Sequence, residues 1–188
     1  ITDKMAFVAS GFQSPGKHVD EEASINKDYD WTSYSLEGVY LLGNGKVNKN
    51  IESNWYIRYG LHQHKLPLLE IFPSSSELFI LENTLINFGL GFGNRMKLSK
   101  DLRTDLYLRY QHPISSKANK NTYSLDSGML IDLYLSANYQ LHRNFHMGAF
   151  VNSQYFNLEY SMTNGFESVE GTQTLFNNIF GLYLGFEL

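Results

Sequence analysis

The chain has 188 residues, a formal net charge of -4 at pH 7 and no cysteine. This length suits a single domain, the absence of cysteine excludes disulfide frameworks and thiolate chemistry, and the lack of a basic stripe argues against nucleic-acid binding. Aromatic residues make up 15% of the chain, nearly all of them tyrosine and phenylalanine. This composition favours β-strands and is typical of the aromatic girdles of membrane barrels.

Hydropathy alone would suggest a soluble protein, because the mean hydropathy is -0.30. No run of about 18 apolar residues occurs, so the sequence predicts no transmembrane helix. A strand of a membrane barrel alternates between apolar and polar residues and averages out in such a scan. No secretory signal is visible at Ile1, and we therefore expect a mature or trimmed chain.

The first three predicted strands span 4–13, 32–42 and 54–64. Asn44-Gly45 predicts a tight turn between the second and the third of them. The segments 14–31 and 65–79 are rich in charge, serine or proline and are predicted to be long loops. The third strand has a clear period-2 pattern, and its apolar face consists of Trp55, Ile57, Tyr59 and Leu61.

The segment 87–113 reads as a β-hairpin whose two strands flank the polar break KLSKDLR. One face of each strand is bulky and apolar, whereas the other face mixes glycine, asparagine and charge. A soluble barrel needs the bulky face inside, and a membrane barrel needs it outside, against lipid. The bulky residues are Ile86, Phe88, Leu90 and Phe92 on the fourth strand and Leu106, Leu108 and Tyr110 on the fifth.

The last three predicted strands span 129–141, 145–160 and 174–188. A short link, His142-Arg143-Asn144, joins the first two of these. The polar segments 114–127 and 162–173 are predicted to be two further long loops. The alternation slips near Tyr155-Phe156, which predicts a β-bulge at that point.

Eight strands with alternating long and short connections predict an all-β fold, an eight-stranded antiparallel up-and-down transmembrane β-barrel, as one domain over 1–188. Barrels of this class have short periplasmic turns and longer extracellular loops. The pattern therefore predicts four long extracellular loops, with both termini in the periplasm.

This layout resembles the eight-stranded outer-membrane barrels of Gram-negative bacteria, the group that includes the outer-membrane proteins A, X and W. The closing segment NIFGLYLGFEL has the alternation of the family's last strand, although it ends in Leu188 rather than in an aromatic residue. The resemblance implies a location in the cell outer membrane, in contact with lipid and lipopolysaccharide. It also implies a non-enzymatic role, either structural or in binding a protein partner through the loops, for example as an accessory subunit of an envelope complex.

Predicted inward charges come in opposite pairs, Glu37 with Arg58 and Arg109 with Asp132. The members of each pair lie at similar distances from the connection between their strands, so we expect them to face one another. The interior of an eight-stranded barrel is just wide enough to be filled by side chains. The sequence thus predicts a lumen filled by ion pairs, and a path for protons or ions is the alternative.

His112 is followed by Ser115, and Asp126 precedes the next predicted strand. A histidine base, a serine hydroxyl and a carboxylate can form a hydrolase triad. The spot is similar to the active site of outer-membrane lipid A deacylases, which use a His-x-Ser-Asn motif, but HPISS has an extra residue and no asparagine. The resemblance implies a lipid A-modifying hydrolase as the alternative function, and an interfacial histidine before a loop-opening proline is the simpler interpretation.

No cofactor and no metal is predicted. His62 and His64 share one strand face and, with Glu82 or Glu70, form a metal-site alternative, but such residues are more often polar residues of the lumen or rim. A soluble ligand-binding barrel of the lipocalin type is disfavoured, because its interior would hold Arg58 and Arg109.

Overall fold

The computed structural model describes residues 4–20, 25–47, 51–71, 78–118, 123–163 and 168–186. In these ranges the chain forms eight β-strands. No helix in the described ranges is long and apolar enough to cross a membrane. The strands are β1 (Met5–Asp20), β2 (Ile25–Lys46), β3 (Glu52–Ile71), β4 (Leu78–Lys97), β5 (Leu102–Ala118), β6 (Tyr123–His142), β7 (Phe145–Thr163) and β8 (Ser168–Phe186).

All eight strands belong to one sheet in chain order, and each strand pairs antiparallel with the next. This confirms the predicted all-β, up-and-down fold. The sheet is curled: the rings of Trp31 on β2 and Phe156 on β7 lie 5.3 Å apart. Gln173 on β8 likewise donates a hydrogen bond of 3.0 Å to the carbonyl of Pro67 on β3. We call the concave side of the sheet the lumen.

The two ends of the sheet differ in how strands connect. We call the end with the β2–β3, β4–β5 and β6–β7 turns the lower end, and the opposite end the upper end. At the lower end, Ser99 Oγ accepts hydrogen bonds from the amides of Asp101 and Leu102 and so closes the β4–β5 turn. The β6–β7 turn lies between His142 and Phe145, as predicted.

Apolar side chains cover the convex face of the sheet. Phe88 is 46% exposed, Leu108 56%, Leu133 48% and Leu182 85%. The alternating positions point into the lumen and carry the buried charged and polar groups, among them Glu37, Arg109, Gln111 and Asp132. The predicted facing, with bulky residues outward and polar residues inward, is therefore confirmed over the middle of the strands.

Toward the upper end the two faces exchange their chemistry. The inward positions there become apolar and form one buried cluster, and the outward neighbours Lys65, Thr84 and Glu159 are polar. On β4 and β7 side-chain direction still alternates residue by residue, so only the residue types change there. We call this group the inner apolar cluster; it consists of Leu66, Leu85, Leu130, Phe156 and Leu158.

This exchange explains a sequence prediction that was wrong. The β7–β8 register runs without interruption past Tyr155 and Phe156, so no β-bulge lies there. The apparent slip arises because Phe156 and Leu158 are inward and apolar. The nearest irregularity of the β6–β7 pairing lies between Leu125 and Ser127.

The four predicted loops, 14–31, 65–79, 114–127 and 162–173, are also largely wrong, because strands occupy most of these segments. Proline and charge at the upper end suggested loops, but strands that extend beyond an apolar belt tolerate polar residues facing water. The connections left between strands there are 21–24, 72–77, 119–122 and 164–167, which lie outside the described residues.

The predicted turn at Asn44-Gly45 is wrong as well. Both residues pair within the sheet, with Asn54 and Ser53, after a register shift between Leu41 and Gly43. The turn follows Val47, whose amide donates a 3.0 Å hydrogen bond to the carbonyl of Ile51. Asn-Gly favours tight turns locally, but pairing with β3 prevails here.

Phe156→Ala tests the exchange of faces. Phe156 is fully buried in the inner apolar cluster, so we expect a loss of about 3–5 kcal/mol in the free energy of unfolding. Asn157→Ala, one position along on the outward face, should cost about 1 kcal/mol or less. Denaturant unfolding in detergent micelles measures both. A larger loss for Asn157→Ala would contradict the inward direction of Phe156.

Candidate functional site

Arg109 on β5 is the centre of a buried charged network in the middle of the lumen. Its Nε donates to Asp132 Oδ2 at 2.8 Å and its Nη2 to the same oxygen at 2.5 Å. Its Nη1 donates to Glu37 Oε1 at 2.6 Å. Asp132 lies directly opposite Arg109 on the neighbouring strand β6, whereas Glu37 comes from β2 across the lumen.

Arg58 completes the network through an ion pair with the other oxygen of Glu37. The two residues are not directly opposite each other: Glu37 pairs with Gly60, and Arg58 precedes Gly60 by two residues on β3. Gly60 permits a close backbone approach here, because a Cβ at this position would lie 2.2 Å from the carbonyl oxygen of Leu36. The structure thus brings together both predicted pairs, Glu37 with Arg58 and Arg109 with Asp132, in one network.

The network is electrically neutral, with two guanidinium groups facing two carboxylates. Neutrality matters because an uncompensated buried charge costs several kcal/mol. The Arg58 guanidinium also lies 4.4 Å from the centre of the Tyr107 ring, which adds a cation–π contact.

Polar side chains extend the network upward. Gln111 Nε2 donates to Asp132 Oδ2 at 2.5 Å, and Gln111 Oε1 lies 3.0 Å from His64 Nε2. His64 Nδ1 lies 2.9 Å from Ser33 Oγ, so both ring nitrogens have partners. No role for Gln111 was predicted from the sequence, although its position two residues after Arg109 gives it the same inward direction.

The inner apolar cluster lies directly above these polar groups, since the rings of His64 and Phe156 are 5.4 Å apart. Higher still, Asn83 Nδ2 donates a 2.9 Å hydrogen bond to the Tyr123 hydroxyl, and burial raises the pKa of this hydroxyl. Two different layers, one charged and one apolar, therefore follow each other along the lumen. Sequence reasoning missed the second layer.

Below the charged network, aromatic rings line the lumen. Tyr107 and Tyr134 stack with their ring centres 4.8 Å apart, and Tyr134 and Phe150 follow at 5.8 Å. A cavity of about 250 Å³ borders His62, Arg109 and Gln154 beside the network. A second cavity of about 320 Å³ lies at the lower end.

The residues of the metal-site alternative do not assemble. No group of three histidine, cysteine or acidic side chains within the described residues is arranged to hold a metal ion. His62 Nε2 lies 3.6 Å from Glu37 Oε1, and Glu82 pairs with Lys65 at 2.9 Å. The side chain of Glu70 lies outside the described part of the structure.

The three residues of the catalytic alternative lie near the upper end. His112 is exposed on β5 opposite Phe88, and Ser115 is opposite Ile86 after a register shift. Asp126 accepts a hydrogen bond of 3.3 Å from Ser161 Oγ. Among the described side chains, none of the hydrogen bonds or ion pairs joins His112 to Ser115 or to Asp126. The catalytic role stays a prediction.

The pairing between β5 and β6 ends just below His112. Pairing between β5 and β6 ends at Gln111 and Leu130, although both strands continue beyond these residues. Pro113, which has no amide hydrogen to donate, lies against Gly128, where a Cβ would be 2.8 Å from the proline ring. His112 and Asp126 therefore lie on strand segments that do not pair with each other.

Glu37→Gln tests the charged network. The substitution leaves Arg58 and Arg109 with one buried carboxylate between them, and we expect a loss of about 3–5 kcal/mol in the free energy of unfolding. Glu82→Gln is the matched control, because it removes the same charge from the exposed Lys65 pair and should cost about 0–1 kcal/mol. The heat-modifiable gel shift and denaturant unfolding measure both, and equal losses would contradict the role of the network.

Comparison with known proteins adds no further constraint on this site. The chain matches no protein-family model and no curated protein. The chemistry of the lumen therefore follows from its own geometry, which is that of a buried, neutral and extensively hydrogen-bonded network.

Proposed function

We propose that this protein is an integral outer-membrane β-barrel of a Gram-negative bacterium, with a blocked lumen and a non-enzymatic role. That role is structural, or it consists of binding outer-membrane lipid, lipopolysaccharide or a protein partner at the upper, external end. The single observation that carries the proposal is the exposed apolar belt around a polar lumen. Both termini then lie on the periplasmic side.

The belt is continuous from β3 to β6. Leu61 pairs with Phe88, Phe92 with Leu108, and Leu108 with Leu133, so apolar side chains adjoin one another there. It continues over β7 and β8 with Val151 opposite Phe180, and the polar Ser153 and Asn178 within it hydrogen-bond to each other at 2.7 Å. Soluble monomers rarely expose apolar patches larger than a few hundred Å². Acyl chains of a bilayer are the surroundings that suit such a surface, because the polar groups are turned to the other side.

The height of the belt also suits a bilayer. On β6 it runs from Ile131 to Leu141, which is eleven residues, and a membrane strand needs about 9–11. Aromatic side chains lie near both limits, as interfacial girdles do. At the upper limit, Tyr110 on β5 and Tyr155 on β7 are the pairing partners of Ile131 on β6. Toward the lower limit, the rings of Trp55 and Phe92 stack with their centres 5.0 Å apart.

The end of β5–β6 pairing supports the same upper limit. Unpaired strand edges do not occur against lipid in the hydrocarbon region, because their backbone groups would lack partners. The last pair, Gln111 with Leu130, is one residue above Tyr110 and Ile131. Above this level β5 still pairs with β4 and β6 with β7, and the two edges that no longer pair with each other face water or a partner.

The upper ends of the strands are the proposed binding region. β7, for example, continues from Tyr155 to Thr163, beyond the belt, and the inner apolar cluster packs its inward side chains. Connections held on such a rigid scaffold are where recognition normally takes place. The two filled layers of the lumen argue against a wide pore.

Leu90→Arg tests the membrane location. An arginine in the lipid-facing belt should lower the free energy of unfolding by about 2–4 kcal/mol when measured in bilayer vesicles, whereas Thr172→Arg, outward but beyond the belt, should cost about 0–1 kcal/mol. Equal and small effects would contradict the proposal. So would recovery of the native protein from cells in aqueous buffer without detergent.

Electrical recording tests the blocked lumen. In planar bilayers the purified protein should give no large, stable conductance steps, because the charged network and the inner apolar cluster fill the lumen in series. A 16-stranded porin, whose lumen is an aqueous channel, is the positive control. Stable porin-like steps from this protein would contradict a filled lumen.

A further inference from the structure

The cavity of about 320 Å³ at the lower end of the lumen is formed mainly by inward side chains of β5 to β8. It is separated from the charged network by the Tyr107–Tyr134 stack. Ligand pockets in proteins begin at about this size. Its binding chemistry comes from Arg103, Ser136, Asn138, His146, Tyr134 and Tyr183.

The cavity has an excess of positive charge. Asp105 is the one carboxylate among its described lining residues, and it is fully engaged: it pairs with Arg95 at 2.9 Å and accepts a hydrogen bond from the Tyr56 hydroxyl. Arg103, in contrast, has no ion pair or side-chain hydrogen bond among the described residues. A guanidinium in this state has five donors to offer to an anion.

The other residues that line the cavity suit a small ring-shaped ligand. Tyr134 belongs to the aromatic stack, and the His146 ring meets the Tyr183 ring edge-on at 6.2 Å. Ser136 and Asn138 supply a hydroxyl and an amide beside these rings. Aromatic faces together with a few polar groups bind ring-shaped ligands that carry hydroxyl groups.

We propose that this cavity binds a small organic anion, namely a single phosphate or carboxylate group attached to a polyhydroxylated ring. Arg103 contacts the anionic group, and the ring lies against Tyr134 and Tyr183 within hydrogen-bonding reach of Ser136 and Asn138. The cavity volume of about 320 Å³ is enough for one sugar phosphate. The site lies outside the charged network and does not depend on the proposed membrane location.

Isothermal titration calorimetry on the purified full chain in detergent tests this site, with glucose 1-phosphate as the probe. We expect saturable binding that is at least tenfold tighter than the binding of inorganic phosphate or of glucose. Arg103→Gln should weaken it at least tenfold, because it removes a charge-assisted hydrogen bond, and Arg103→Lys should restore part of the affinity. Lys100→Gln, an equal change of charge in the exposed β4–β5 turn, should leave the affinity unchanged.

Several results would overturn the proposal. These are the absence of saturable binding to the wild-type chain, equal affinity for inorganic phosphate and glucose 1-phosphate, and an Arg103→Gln variant that binds as well as the wild type. The heat-modifiable gel shift checks that each variant is folded. Failure of this test would leave the membrane location untouched, since that is decided by Leu90→Arg in vesicles.

Discussion

Arg109 is held between carboxylates from two directions, and this contact constrains the whole sheet. Asp132 is its neighbour on β6, but Glu37 comes from β2, three strands away along the sheet. Only a strongly curled sheet can bring Glu37 Oε1 on β2 within 2.6 Å of Arg109 Nη1 on β5. Since a buried charge without its partner costs several kcal/mol, curvature of the sheet and neutrality of the lumen stabilise each other. The curl in turn places β6 and β7 across from β3 and β4, where the inner apolar cluster forms.

Strand geometry fixes whether each side chain points into the lumen or outward. The residue type at a given height of the sheet therefore depends on what surrounds the side chain there. Through the belt, apolar residues point outward and polar ones inward; above it, Leu66, Leu130 and Phe156 point inward. The change occurs at the level where β5–β6 pairing ends and where Tyr110 and Tyr155 point outward. Three features with different physical causes therefore agree on one boundary. Packing, backbone pairing and the outward tyrosines thus all change at the height where the convex face turns from apolar to polar.

The sequence predicts most of this fold where one face is uniformly apolar. Phe88 and Leu108 point outward as expected, because alternation over several residues leaves only one facing. The turn after β2 could not be read in the same way: Asn44-Gly45 has a strong local preference, and long-range pairing with β3 overrides it. The inner apolar cluster was missed for a related reason. Phe156 and Leu158 have the spacing of their strand but the opposite chemistry, and a single-face rule interprets such a change as a slip in register.

The edges of the sheet impose a further structural requirement. β1 and β8 each pair on one side only among the described strands, and a free edge invites association with another chain or, in lipid, leaves backbone groups without partners. Contacts within the chain already bring these edges toward each other. Gln173 on β8 donates to Pro67 on β3, and Phe12 on β1 borders the same cavity as Ile179 on β8. Both contacts run across the lumen rather than along the edges. The curl that neutralises Arg109 therefore also brings β8 toward the first three strands of the sheet.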